Sequence, residues 1–167
     1  MKVTFILDQE DVWQLTRYVY RSDRRYRRQM ISLVVYLPAL LLLFMWLSLH
    51  RFWLSLAVAA LFSGILLPLI YWKVKRDVMR TAAKRPGVLG EHTIEIDAEG
   101  VRERTAVNDT FTSWKGVHNI VDDKKHIYLF VAENMAHVVP KRAFASDLDA
   151  QAFVELANTC WYRAKVG

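Results

Sequence analysis

The sequence predicts an α+β protein: a membrane α-helical hairpin joined to a small antiparallel β domain, a sandwich or partly open barrel capped by a C-terminal helix. Three observations predict it. Two runs of twenty and twenty-one residues, 30–49 and 52–72, carry no charged side chain. Each is flanked on one side by a dense group of arginines and lysines. From residue 91 onward, short alternating stretches are separated by turn residues and followed by a helical pattern.

Residues 1–29 form the first segment. Val3, Phe5 and Leu7 alternate with Lys2, Thr4 and Ile6, which predicts a strand. Asp8 is placed to cap a helix, with Asp11 three residues on as a capping-box analogue. Val12, Leu15 and Val19 make a stripe at helical spacing, and no glycine or proline intervenes before Met30. One long helix is therefore expected from about Gln9 into the first apolar run.

Residues 30–72 are the hairpin. Each run spans roughly 30 Å as a helix, the thickness of the hydrocarbon core of a bilayer. Lipid supplies no hydrogen-bond partner, so such a segment must satisfy its own backbone as a helix. The rest of the chain is too short to bury two helices that are apolar all round. His50 and Arg51 make the turn between them. Ser32, Ser48, Ser55 and Ser63 are the polar side chains of the spans, with no acid, base or amide to form an ion pathway. Ser55, Ala59 and Ser63 recur every four residues beside Ala60 and Gly64, a small-residue face for helix–helix contact. Such a face serves the hairpin itself, self-association, or docking on a larger membrane protein.

Charge sets the orientation. Residues 17–28 hold six arginines against Asp23, and residues 73–85 hold six basic side chains against Asp77, a net +5 in each case. Positive flanks stay cytoplasmic, so both termini are expected inside, at the bacterial inner membrane. Residues 73–90 form a basic juxtamembrane segment. Arg24, Arg25, Arg27 and Arg28 are candidate contacts for anionic lipid headgroups. The overall +6 is thus a statement of topology. Residues 91–167 carry nine positive and twelve negative side chains, which argues against a nucleic-acid partner.

Residues 91–167 read as six strands, at 92–97, 101–106, 110–114, 117–121, 126–131 and 136–140, with the N-terminal strand available as a seventh. Ser146 then caps a helix whose first turn holds Asp147 and Asp149. Leu148, Ala152, Phe153, Leu156 and Cys160 are expected on its buried face. A two-helix hairpin, a domain opening with HTIEIDAEGV, continuing through SWKGVHNIVDDKKHIYLF and closing on HVVPKRAF before a helix, resembles the YcxB-like family of small bacterial membrane proteins. Glu99-Gly100, Trp114 and Pro140–Phe144 carry the resemblance. It implies a C-terminal domain similar to pleckstrin-homology (PH) domains, seven strands with a capping helix, and it implies no catalytic residue.

The residues themselves argue in the same direction. One cysteine, Cys160, cannot form an intramolecular disulfide. The five histidines, His50, His92, His118, His126 and His137, lack the spacing of a helical or Cys/His metal site. His118 and His126, with Asp122 and Asp123, read as flanks of a solvated turn. There is no GxSxG, P-loop or GxGxxG motif. No enzyme activity, cofactor or metal is expected. Lys141 and Arg142, next to a helix start, are a candidate anion or lipid contact.

The leading expectation is a non-enzymatic membrane protein whose cytoplasmic domain binds or regulates a protein partner. An alternative is a membrane-bound immunity protein that neutralises a cognate toxin. A third reading is an anionic-lipid sensor acting through Lys141 and Arg142.

Overall fold

A computed structural model describes residues 1–50 and 52–166. Arg51, in the turn expected between the apolar runs, lies outside the described residues. The fold is α+β, and the chain divides into two compact units: Met1–Val19 together with the chain from Met79 onward, and Tyr20–Val78.

Strand β1, Lys2–Leu7, buries Val3, Phe5 and Leu7 and exposes Lys2, Thr4 and Ile6, as its alternation predicts. Helix α1, Gln9–Ser22, opens on a reciprocal cap. The Asp11 amide donates to the Asp8 carboxylate at 2.9 Å, and the Asp8 amide donates to the Asp11 carboxylate at 3.0 Å. The helix stops at Ser22, which corrects the expectation of one continuous helix. Asp23 adopts extended backbone (φ −77°, ψ 121°), and its carboxylate accepts from the Arg25 amide at 2.7 Å. A short acidic side chain bonding its local backbone competes with helix propagation and starts a new helix instead.

That helix is α2, Arg24–Leu49. It ends at His50 in the left-handed region (φ 51°), whose amide donates to the Trp46 carbonyl at 2.9 Å. Helix α3 runs from Phe52 to Lys84. Both contain a segment long and apolar enough to cross a membrane, over Arg27–Ser48 and Phe52–Lys84. Their large apolar side chains, among them Leu40, Phe44, Leu47, Leu61, Phe62 and Ile65, are exposed.

The remaining strands are β2 (Gly90–Ile96), β3 (Gly100–Thr105), β4 (Asp109–Ser113), β5 (Asn119–Asp122), β6 (His126–Ala132) and β7 (Met135–Pro140). They form two antiparallel sheets not closed into a barrel, one ordered β1-β2-β3-β4 and the other β5-β6-β7. The N-terminal strand does join the later strands: β1 pairs with β2 from Lys2↔Glu95 to Leu7↔Gly90. The core is made by Ile94, Ile96 and Val101 from one sheet and Ile127, Leu129 and Val139 from the other, all fully buried. The alternation puts Trp114 at the end of a strand; it lies instead in a 3-10 turn after β4, buried, with its indole N–H donating to the Asp97 carbonyl at 2.9 Å.

Helix α4, Asp147–Val166, begins with the Asp149 amide on the Ser146 hydroxyl at 3.2 Å. Its buried residues are Ala150, Phe153 and Ala157. Only Phe153 of the expected face is among them. Leu148, Ala152 and Leu156 face outward, and Cys160 is half-buried. The Trp161 indole donates to the Val117 carbonyl at 2.9 Å, and Phe153 packs against Phe144 with ring centroids 5.3 Å apart. Those anchors set the helix rotation and turn the two leucines out.

Gly100 stands where no other residue fits. A Cβ there would meet the Thr112 carbonyl oxygen at 2.3 Å, and that neighbour is backbone. Gly100→Ala is therefore expected to destabilise the β3–β4 pairing by about 1–3 kcal/mol, measured as a lowered thermal midpoint of the full chain in detergent. An unchanged midpoint would mean that the strands separate there without cost.

Candidate functional site

The polar residues of the larger unit converge in two places. The first is a cleft of about 750 Å³. The start of α1 supplies Asp8, Glu10 and Asp11; the β5–β6 turn supplies Lys124, Lys125 and His126; the segment after β7 supplies Lys141 and Arg142.

At the base of the cleft is Asp11, 2% exposed. Its carboxylate accepts from both terminal nitrogens of Arg142 at 2.6 Å and from Nε2 of His126 at 2.7 Å. Arg142 also donates to the Ile6 carbonyl at 3.1 Å. Because an ionised carboxylate only accepts, His126 carries its proton on Nε2. Burial pushes the Asp11 carboxyl up, but the hydrogen bonds from Arg142 and His126 outweigh it. The group is held well below the usual carboxylate range. His126 is thus not part of a solvated turn. It is buried, stacked on Tyr128 at 5.7 Å and locked to a residue 115 positions away.

The second place is a histidine pair. Nδ1 of His92 lies 2.8 Å from Oε1 of Glu103, and Nδ1 of His137 lies 2.6 Å from Oε2. Both imidazoles are buried, and neither Nε2 has a hydrogen-bond partner among the described residues. Burial raises the Glu103 carboxyl, while the bonds from His137 and His92 lower it to about 2. The cluster ties β2, β3 and β7 together, so it joins the two sheets.

The sequence-predicted residues fall as follows. Arg142 is held by Asp11, and Lys141 is held by Asp122 at 2.7 Å. Both cations of the expected anion contact therefore already carry carboxylates of their own unit. Arg24, Arg25, Arg27 and Arg28 are exposed in the first turns of α2. Of the small-residue face, Ser55 and Ala59 are buried, Ser63 is half-buried and donates to the Ala59 carbonyl, and Ala60 and Gly64 are exposed with open space beside Gly64. That face is split between a covered row and an open one. The sequence does not mark Asp11, His92, Glu103 or His137 as site residues. Each sits in an ordinary strand or cap pattern, and its partners come from elements far along the chain. An Asp–His pair can orient a catalytic base. Here both carboxylate oxygens are taken by Arg142 as well, so the arrangement acts as a clasp. Among the described residues no group of three or more His, Cys, Asp or Glu is placed to hold a metal ion.

Residues 96–157 match the family model described as YcxB-like protein, which supports over that segment the family assignment read from Glu99-Gly100, Trp114 and Pro140–Phe144. Neither the comparison with curated proteins nor that with solved structures yields a match.

Both carboxyls are more acidic folded than unfolded, so their stabilisation is complete above the unfolded values near about pH 4 and is lost as the pH falls. For Glu103 the loss runs from there down to about 2. Glu103→Gln should flatten that part of the acid denaturation curve of the full chain in detergent; an unchanged curve below about pH 4 would show that the carboxylate contributes nothing there. Asp11→Ala strips Arg142 and His126 of their partner and should cost about 3 kcal/mol, the lower end for a broken buried pair because half of the Arg142 side chain keeps its water. Thermal melts at pH 7 measure it; a shift within error would show that the clasp contributes nothing.

Proposed function

We propose that this chain, with its YcxB-like segment, is a non-enzymatic protein of the bacterial inner membrane. On this reading α2 and α3 form a transmembrane hairpin that presents a cytoplasmic PH-like domain, and the domain binds or regulates a protein partner at the membrane. The observation that carries it is the β1–β2 ladder. Residues 2–7 and 90–95 pair along their whole length although both apolar helices lie between them in sequence. A chain that leaves a folded unit, crosses a bilayer and returns to the same unit crosses an even number of times. Two crossings satisfy that condition, and +5 at each end of the insertion favours the cytoplasmic side for both.

The exposed apolar surface of both helices supports the membrane assignment, since aqueous solvent penalises contiguous patches of this kind. Support for the PH-like reading comes from seven antiparallel strands divided four and three, followed by one helix. A domain whose polar clusters are used in holding itself together has surface elements, not a reactive centre, with which to act. Its partner is then recognised through a sheet edge or the outward face of α4, where Leu148 and Tyr162 are 76% and 66% exposed. Anchoring confines the search for that partner to the membrane plane.

Reporter fusions test the topology. Green fluorescent protein at the C-terminus should fluoresce and alkaline phosphatase there should be inactive, whereas phosphatase inserted after His50 should be active. The opposite pattern would overturn the orientation. Affinity purification of the tagged chain from cross-linked membranes should then retrieve one protein in constant ratio; retrieval of lipid alone would remove the partner-binding role.

A further inference from the structure

The sheet edges are not alike. β1 lies beside β7, and the Ile6 carbonyl on β1 is taken by Arg142. β5 lies beside α4. β4 is the first sheet's other edge, and its residues Asp109, Thr110, Phe111 and Ser113 are exposed. Alternation along the β3–β4 ladder determines which backbone groups point out. Thr105 donates to the Asn108 carbonyl and Trp114 donates to the Glu99 carbonyl at the two ends of this register. Thr110 and Thr112 therefore bond inward to β3, and Asp109, Phe111 and Ser113 turn their N–H and C=O groups away from it.

No hydrogen bond among the described residues reaches those outward groups. Natural edges are blunted by lysine, proline or a bulge, and Thr110–Ser113 has none of these. The one charge on the strand, Asp109, is engaged by Arg104 at 3.3 Å. On the outer face Phe111 is 47% exposed, with the Arg102 guanidinium 5.7 Å from its ring centre.

We infer that the free edge of β4 pairs antiparallel with β4 of a second copy of this chain, about a two-fold axis at Phe111. The strand reads Asp-Thr-Phe-Thr-Ser, nearly the same in both directions. Centred on Phe111, the pairing sets Phe111 against Phe111, Thr110 against Thr112 and Asp109 against Ser113. No like charges face each other, and each outward N–H and C=O of the three residues meets a partner. The Thr–Thr and aromatic cross-strand pairs are stabilising ones. The result is one continuous sheet across two copies, with the interface isologous and closed. The edge belongs to the unit of residues 1–19 and 79 onward, so the inference stands apart from the membrane reading.

The test uses the full chain in membranes and in detergent, with Cys160 replaced by serine. Cα atoms of a hydrogen-bonded antiparallel pair lie about 5.5 Å apart, within disulfide range. Phe111→Cys should oxidise to a covalent dimer, and Leu148→Cys, on the outer face of α4, should not. Phe111→Lys places two ammonium groups at the axis and should weaken dimerisation about tenfold or more without lowering the melting midpoint. Phe111→Glu should do the same, and mixing the two variants should restore the dimer, which no folding defect would do. Ala60→Leu with Gly64→Leu should leave it intact. Equal cross-linking at residues 111 and 148, or a dimer insensitive to Phe111→Lys, would overturn the inference. So would a wild-type monomer, which would leave the edge to an extended segment of another protein.

Discussion

The carboxylate of Asp11 organises the larger unit. It is buried, so it must be paired, and its partners Arg142 and His126 come from the other end of the chain. The same side chain also caps α1 through Asp8. Removing it would therefore break the helix start and the junction between the N-terminal segment and the strands together. The β1–β2 ladder supplies backbone bonds for that junction, but a ladder alone permits slippage along the strand. A carboxylate gripped in bidentate fashion by a planar guanidinium fixes one register.

The His92–Glu103–His137 cluster plays a comparable part between the sheets. Two imidazoles bond one carboxylate that is only 21% exposed, and together they hold it in its ionised form. The unpaired Nε2 atoms are the energetic cost of that arrangement. An apolar trio would be cheaper to bury but would lack direction. Phe5 stacked on His92 at 6.0 Å shows how the cluster is walled off by the strand that Asp11 holds in place. The two polar clusters thus depend on each other through β1.

Much of this was legible in the sequence where the signal is local. The alternation of β1, the Asp8–Asp11 and Ser146–Asp149 caps and the strand succession from Gly90 to Pro140 each rest on residues a few positions apart. What was not legible depends on distant partners. The phase of α4 follows from Trp161 reaching Val117 and Phe153 reaching Phe144, so small Ala150 and Ala157 face in and larger Leu148 faces out. Hydrophobic spacing alone cannot distinguish those two phases. Lys141 and Arg142 looked like free cations because Asp122 and Asp11 are far from them in sequence. The break at Ser22 was local, and Asp23 followed by Arg24 was its signal, hidden by the absence of glycine or proline.

The start of α2 sets one physical preference against another. Arg24, Arg25, Arg27 and Arg28 stand at the positive end of the helix dipole, where each exposed cation costs up to about 1 kcal/mol at low salt. Asp23, as the N-cap, offsets part of that cost. A helix in water gains nothing from such a placement. At a bilayer surface the balance changes, because each basic side chain near anionic headgroups gains about 1 kcal/mol, and the asymmetry of charge determines which side the helix end occupies. The same arginines that oppose the local helix would therefore favour the proposed topology. On the proposed membrane reading, the aligned amides at the α2 start and the guanidinium groups would both attract headgroup phosphate, and lipid would relieve the repulsion between them.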